Sequence, residues 1–274
     1  MTQILSLNLG GYGEQHDPWR ARRPLVAAVL AEQQPDLVAL QAVARDPAIA
    51  RGCDQATQLA HDVGGYEVVY RPATRGPGGR ESGLALLSRV SPLAVHVHPL
   101  SRRGDDDPFD RVLLHGVFPG PRAPLHVVCA HLSWIEAQAG DNVGELLVYL
   151  AAVPGPRLLL GDFNQTPTSD ALARLRGAGL VDAWAALRPC DPGHTFFEAG
   201  APTRRIDYLL LDRRLGPRAC EVSLVLDRPG ERRASDHAGL LARLGDDGRA
   251  DVAATGDQGP HQPGSPCPQS APPA

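Results

Sequence analysis

Lysine is absent from this 274-residue chain, so all 27 of its basic residues are arginine. Alanine, glycine and proline are abundant, which traces the bias to a GC-rich coding sequence and gives it no functional meaning. A basic excess is also missing. The formal net charge is -4 and the isoelectric point about 6.2, which withholds the general pull that nucleic-acid binders use to displace counterions from phosphates. A nuclease is not excluded, because a local arginine cluster is enough to guide a strand. Paired cysteine spacing is lacking too. The five cysteines, Cys53, Cys129, Cys190, Cys220 and Cys267, are odd in number, scattered and without a CxxC, so neither a disulfide framework nor a zinc site is expected, and reduced thiols in a cytoplasm are. Long apolar runs are missing: Leu146 to Val153 is among the longest, about eight residues against the roughly twenty that span a bilayer. With no basic n-region at the start, neither an export signal nor a membrane anchor is expected. There is no repeat of solenoid period, and nothing indicates an oligomeric state.

What is present is a hydrophobic content of 43%, ordinary for a soluble protein with a sizeable core. Composition changes once, near Gly245. Residues 1–244 are expected to form one domain, whereas residues 245–274, dominated by Gly, Asp, Pro, Ser and Gln, bury too little apolar surface to offset their ordering entropy and are expected to be a disordered tail. Within the domain, period-two or continuous apolar runs predict strands at Gln3 to Asn8, Leu37 to Gln41, Tyr66 to Tyr70, Gly83 to Ser88, Ala94 to His98, Val112 to Phe118, Leu125 to His131, Arg157 to Gly161, Ile206 to Leu211, Glu221 to Leu226 and Ala238 to Arg243. Helices are predicted over Arg20 to Gln33, closed by Pro35, and over Gln55 to His61, Asn142 to Val153 and Ser169 to Ala178, the last opened by Ser169 as its N-cap. So many strands for so few helices exclude a doubly wound parallel sheet and suit two packed sheets with helices outside.

Polar residues suited to metal or phosphate chemistry recur at the ends of these strands, where a rigid backbone aims short side chains into a shared cleft. Asn8 ends the first, His131 the seventh and Asp162 with Asn164 the eighth; Asp207 lies in the ninth, and Asp236-His237 precede the last. Singly, each such residue is more often a turn or a helix cap. The segment Leu158-Leu159-Leu160-Gly161-Asp162-Phe163-Asn164 empties an apolar strand through glycine into an acid and an amide two positions apart. If the segment stays extended, the two point the same way, the acid to orient or deprotonate a water and the amide to donate to a phosphate oxygen. The bland alternative is a strand-turn-helix junction with Asp162 capping the turn. In Arg205-Ile206-Asp207-Tyr208 and Ala234-Ser235-Asp236-His237, a buried Asp207 would fix the tautomer of His237 and raise its basicity. The alternative pairs Asp207 with Arg205 and leaves Asp236-His237 a solvated turn.

Taken in order, Leu5-Ser6-Leu7-Asn8, Asp36 to Gln41, Gly83 to Arg89, Ala130-His131-Leu132, Gly161 to Asn164, Arg205 to Tyr208 and Ser235-Asp236-His237 resemble the endonuclease/exonuclease/phosphatase superfamily from about residue 3 to 243. The resemblance implies a four-layer α-β-β-α sandwich of two packed mixed sheets and hydrolysis of a phosphoester by in-line attack of water on phosphorus, assisted by magnesium, with manganese as a substitute. Carried onto this chain, it makes Asn8 a residue that positions the metal or the phosphate, and Asp236 a metal ligand or the support of one. Asp162 and Asn164 orient the water and stabilise the phosphoryl oxygens. His237, held by Asp207, is a base or phosphate contact, and His131 is an acid or transition-state donor, oriented by Glu81. Arg111, which follows the acidic run Asp105 to Asp110, reaches the substrate phosphate or forms a surface ion pair with Asp110 or its neighbours. Trp19 is expected to staple the first helix to the core instead of stacking on a base. The substrate is expected to be a phosphorylated small molecule or nucleotide, with nucleic acid disfavoured by charge, and to be selected by loops such as Arg71 to Arg80 and Ser101 to Asp110.

One position departs from the pattern. After Leu40-Gln41 the superfamily places its principal metal-ligating glutamate, and here that position is Ala42. Magnesium meets only one or two protein carboxylates in many sites, so a methyl group there removes much of the protein's grip. Three explanations compete: a deliberate change that traps substrate, natural loss of hydrolysis that leaves a binding protein, or another acid such as Glu14 reaching the metal.

Overall fold

Continuous apolar runs are the mark of strands buried on both faces. In the first strand Ile4 points one way and Leu5 and Leu7 the other, all fully buried. The computed structural model describes residues 1–13, 17–104, 106–227 and 233–245. Its elements, in order, are β1 (Thr2–Asn8), α1 (Trp19–Gln33), β2 (Leu37–Arg45), α2 (Gln55–Val63), β3 (Glu67–Arg75), β4 (Glu81–Ser88), β5 (Ala94–Leu100), β6 (Arg111–Phe118), β7 (Leu125–His131), α3 (Glu136–Ala152), β8 (Arg157–Asp162), α4 (Asp170–Gly177), β9 (Val181–Asp182), α5 (Ala183–Leu187), β10 (Phe196–Glu198), β11 (Ala201–Arg204), β12 (Asp207–Leu211), β13 (Ala219–Val225) and β14 (Gly239–Leu244). Two six-stranded sheets result, ordered β13-β14-β1-β2-β4-β3 and β5-β6-β7-β8-β12-β9, with β10-β11 a separate ribbon.

The sheets pack face to face through Ile4, Leu86, Leu114, Leu160 and Leu209. The outer face of the first takes Val26 and Leu30 of α1 and Leu59 of α2; that of the second takes Val143, Leu146 and Leu150 of α3 and Leu172 of α4. Burying each such aliphatic side chain is worth about 1.5–3 kcal/mol. This is the expected four-layer sandwich, and both sheets are mixed: β1 and β2 run parallel, as do β7 and β8, while their other pairings are antiparallel. No helix among the described residues is long and apolar enough to cross a membrane. The expected tail from residue 246 onward lies outside the described residues, as does Glu14.

Ser169 caps α4 as expected, its Oγ accepting the Leu172 N–H at 3.3 Å. Trp19 is buried and donates from Nε1 to Gln58 Oε1 at 3.0 Å, fastening α1 to α2. Helix α3 starts six residues before the expected Asn142, because the stripe Ala139, Val143, Leu146, Leu150 continues through Gly140 and Asp141, which alone read as breakers. Cys53, Cys129 and Cys220 are free thiols.

A histidine cluster lies on the outer face of the second sheet. His96 and His115 are opposite in register on β5 and β6, His115 Nε2 lies 2.9 Å from His126 Nδ1 on β7, and its Nδ1 lies 2.8 Å from the Tyr149 hydroxyl of α3. Burial, with His126 and His96 nearby, lowers the His115 pKa from 6.5 to about 4. The unfolded imidazole therefore takes up a proton below pH 6.5 that the folded one refuses until about pH 4. The stability His115 contributes is complete above pH 6.5 and is lost as the pH falls toward 4. Relative to a His115→Gln chain, the protein should lose on the order of 2–3 kcal/mol more across that window, read as urea midpoints at stepped pH. Parallel pH profiles for the two chains would count against the neutral cluster.

Candidate active site

The polar strand ends meet because register places them on one rung. His131 on β7 lies opposite Asp162 on β8, and Asp162 lies opposite Asp207 on β12. Across the sandwich, β1 delivers Asn8, whose Nδ2 donates to Asp162 Oδ2 at 2.8 Å. Asp162 is thus a buried hub, with Oδ2 also 3.4 Å from His131 Nε2 and 3.7 Å from His237 Nε2. Gly161 precedes it at φ 137°, where a Cβ would stand 2.0 Å from the Ala130 carbonyl oxygen; only glycine lets β8 approach β7 so closely.

The Asp207–His237 pair forms as the sequence suggests, with His237 Nδ1 2.8 Å from Asp207 Oδ2 and both side chains buried. The alternative partner, Arg205, goes instead to Asp182 at 2.6 Å. Asp207 is further set by Thr195, a residue sequence reasoning missed, whose buried Oγ1 accepts the N–H groups of Ile206 and Asp207 at 3.1 and 3.2 Å. Burial opposes charge on His237, but Asp207, Asp162 and the hydrogen bond to Asp207 outweigh it and raise its pKa to about 10. His131 shifts the other way. Burial, together with the charges of Arg111 and His237, outweighs the attraction of Asp162 and lowers it to about 3. One imidazole is therefore cationic and the other neutral at pH 7, the split that marks division of labour between like groups.

Two expectations need correction. The segment after Asp162 does not stay extended. Asn164 is left-handed at φ 54°, tolerable for asparagine, and turns so that its N–H donates to Asp162 Oδ1 at 2.8 Å while Nδ2 donates to the Leu132 carbonyl at 2.9 Å. One of its two amide hydrogens is thereby spent on positioning. Glu81 does not orient His131, because its carboxylate is taken by Arg45 and Arg75 at 3.4 and 3.2 Å; the spacing of β4 from β7 in sequence says nothing of that cross-strand competition. Arg111 is buried and paired with fully buried Asp107, Nη2 to Oδ2 at 2.9 Å, not with surface Asp110.

Arg22 is the least foreseeable member. Fully buried, it donates to the carbonyls of Leu9, at 2.6 Å, Ala234, at 2.8 Å, Asp17, at 2.8 Å, and Gly11. It ties the loop after Asn8 to the loop before Asp236, where Ser235 Oγ donates to the Asn8 carbonyl at 2.6 Å and accepts the His237 N–H at 3.2 Å. Nothing in the sequence singles Arg22 out from its neighbours Arg20 and Arg23.

Ala42 stands on a β-bulge between Leu40 and Val43, left-handed at φ 48°, and faces a small hollow of about 100 Å³ with Arg111, His131, Phe109 and Trp134. Bulges re-aim side chains toward sites, and this one turns position 42 into the cleft. Asp162, Asp207 and His237 offer ligand atoms within 4.8 Å of one another. Asp207 Oδ1 is a buried oxygen with no hydrogen-bond partner.

A sequence profile of the Endonuclease/Exonuclease/phosphatase family matches residues 5–237. Among solved structures, the chain is similar to an endonuclease/exonuclease/phosphatase family protein from Leptotrichia buccalis C-1013-b (18% identity, TM-score 0.75, covering 89% of this chain and 99% of that one). It is also similar to a mannosyl-6-phosphatase of Bacteroides thetaiotaomicron VPI-5482 (18%, TM-score 0.73, 89% and 99%) and to a 3'-5' exonuclease from Neisseria meningitidis (21%, TM-score 0.67, 89% and 100%). At such identities the likeness speaks for the fold. No curated protein matches the chain.

Proposed function

The chain belongs to the endonuclease/exonuclease/phosphatase family, and we propose on that premise that it is a divalent-metal-dependent phosphoester hydrolase in which water attacks phosphorus in line. The observation that carries the reading is Asp162, a buried carboxylate shared by Asn8, His131, His237 and Asn164. So many polar groups converging on one buried acid are costly for stability and are kept where chemistry needs them.

Asp162 holds and deprotonates the attacking water, and Asn164, locked against Leu132, keeps one amide hydrogen for a phosphoryl oxygen. His237, kept cationic by Asp207, contacts the phosphate more readily than it accepts a proton, which favours the phosphate-contact alternative over the base. Neutral His131 serves as a hydrogen-bond donor to the developing charge rather than as an acid. Arg111 lends a guanidinium already oriented by Asp107.

The donor set fits a hard cation in kind. Asn8 meets Asp162 through Nδ2 while its Oδ1 accepts the Gly10 N–H at 2.9 Å, and unpartnered Asp207 Oδ1 leaves a buried oxygen open to a cation. Asp162, Asp207 and His237 offer ligand atoms within 4.8 Å of one another, but His237 is no ligand while Asp207 and Asp162 keep it cationic. Asn8 and Asp236 would hold the ion, which when bound supplies Lewis-acid polarisation of the phosphoryl group. Magnesium suits these oxygens, with manganese as its substitute.

The substrate is a phosphorylated small molecule or nucleotide in preference to long nucleic acid, in line with the net charge of -4. A panel of phosphomonoesters and phosphodiesters with magnesium or manganese, set against chelator, tests the reading. Metal-dependent release of product supports it, and chelator-resistant release contradicts it. The second reading, a binding protein that keeps the pocket without turnover, rests on Ala42 and predicts saturable binding from that panel with no product.

A further inference from the structure

Two large aromatic side chains stand exposed beside the cleft. Phe109 keeps 41% and Trp134 44% of its surface accessible; the other tryptophans, Trp19 and Trp184, are buried. Their rings meet edge to face with centroids 5.9 Å apart. Arg111 lies against both, its Cζ 5.3 Å from the Trp134 centroid and 5.7 Å from that of Phe109. Trp134 follows His131 by three residues, and Phe109 precedes Arg111 by two, so both rings are anchored to residues that would meet the substrate phosphate. They line the same hollow as Ala42 and His131, whose other walls include Ala73, Leu84 and Val112.

The charge of this hollow is as informative as its rings. Among the described residues that line it the one arginine is balanced by buried Asp107, and the Asp110 carboxylate faces Arg102 at 3.8 Å. A ligand carrying several phosphates would meet no second arginine among the described lining residues. An apolar wall with one oriented guanidinium and two exposed aromatic faces instead suits a single phosphate joined to a flat ring, because aromatic faces stack on rings of any base and gain by displacing water from apolar surface.

Resting on the hydrolase reading, we propose that Phe109 and Trp134 form a stacking platform for a flat ring attached to the substrate phosphate, so that the substrates are singly phosphorylated ring compounds, nucleoside monophosphates or aryl phosphates, and not polyphosphorylated polyols. The ring lies on the Phe109–Trp134 rim while its phosphate reaches inward to His131 and Arg111. The aromatic pair selects the substrate and takes no part in bond breaking.

The test measures binding, not turnover. The intact chain with magnesium is titrated with adenosine monophosphate, phenyl phosphate, glycerol phosphate, an inositol polyphosphate and inorganic phosphate. Affinity is read by calorimetry, and quenching of tryptophan emission reports on Trp134. Both ring compounds should bind about tenfold or more tighter than glycerol phosphate, with quenching that glycerol phosphate does not produce. Phe109→Ala and Trp134→Ala, both surface truncations, should remove that preference while leaving inorganic phosphate affinity and the thermal midpoint unchanged. A preference for adenosine over phenyl assigns a nucleobase to the platform, and equal binding assigns any flat ring. Equal affinity for ring and glycerol phosphates, tightest binding of the inositol polyphosphate, a ring preference that survives both truncations, or no binding of any probe would overturn the platform. Ring-selective binding without hydrolysis would keep the platform and remove the hydrolase reading; hydrolysis without ring preference would do the reverse.

Discussion

Restoring a carboxylate at position 42 should raise magnesium-dependent turnover of the phosphoester panel by about a hundredfold or more. Outer contacts to a metal ligand are themselves worth 10- to 100-fold in affinity or activity, so a lost ligand is worth at least the upper end of that range. The backbone is already suited to the change. Ala42 occupies left-handed space at φ 48°, a cost of about 1–2 kcal/mol that alanine and glutamate share, so Ala42→Glu adds no new conformational strain. The side chain would enter a hollow of about 100 Å³ that opens to solvent, on a bulge that aims it inward. Initial rates at saturating magnesium, with the metal concentration for half-maximal rate, are the readout. Turnover and metal dependence both unchanged would remove position 42 from the metal site, and would turn attention to another acid, such as Glu14, as the ligand.

Removing His237 should abolish hydrolysis, in the native chain or in the Ala42→Glu chain. Removing one preorganised donor to a developing charge costs roughly 10²–10³ in rate, and His237 also supplies a positive charge that Asp207 and Asp162 stabilise. His237→Ala leaves Asp207 as a buried carboxylate without its partner, so a His237→Gln chain separates chemistry from folding: its amide can still donate to Asp207, yet carries no charge. The expected result is loss of turnover in both chains with a thermal midpoint recovered by glutamine. Full activity in His237→Gln would remove the charge of His237 from the mechanism.

The sandwich and the convergence of Asn8, His131, Asp162, Asp207 and His237 were legible because each residue ends or flanks an apolar strand, and a strand's period and register are written locally. Asp162 and Asp207 share a rung for the same reason that Leu160 and Leu209 share one. The left-handed turn at Asn164 was not legible, since the same residues read equally as an extended pair. Nor was the hub at Arg22, whose acceptors are backbone carbonyls as distant as Ala234, nor Thr195, which touches Asp207 only through backbone N–H groups. Backbone acceptors and donors carry no residue identity, so sequence alone does not point to them. Short pieces such as α5 and the β10-β11 ribbon were missed because a few residues hold too little of any period. The competition of Arg45 and Arg75 for Glu81 is likewise a matter of which strands lie side by side.

The reading of this cleft as a place where water attacks phosphorus is tested most directly by running the Ala42→Glu chain, with magnesium, on a turned-over panel member in oxygen-18 water and weighing both products. The account predicts one solvent oxygen in the phosphoryl product and none in the alcohol. Label in the alcohol, or no turnover of any phosphoester, would contradict it.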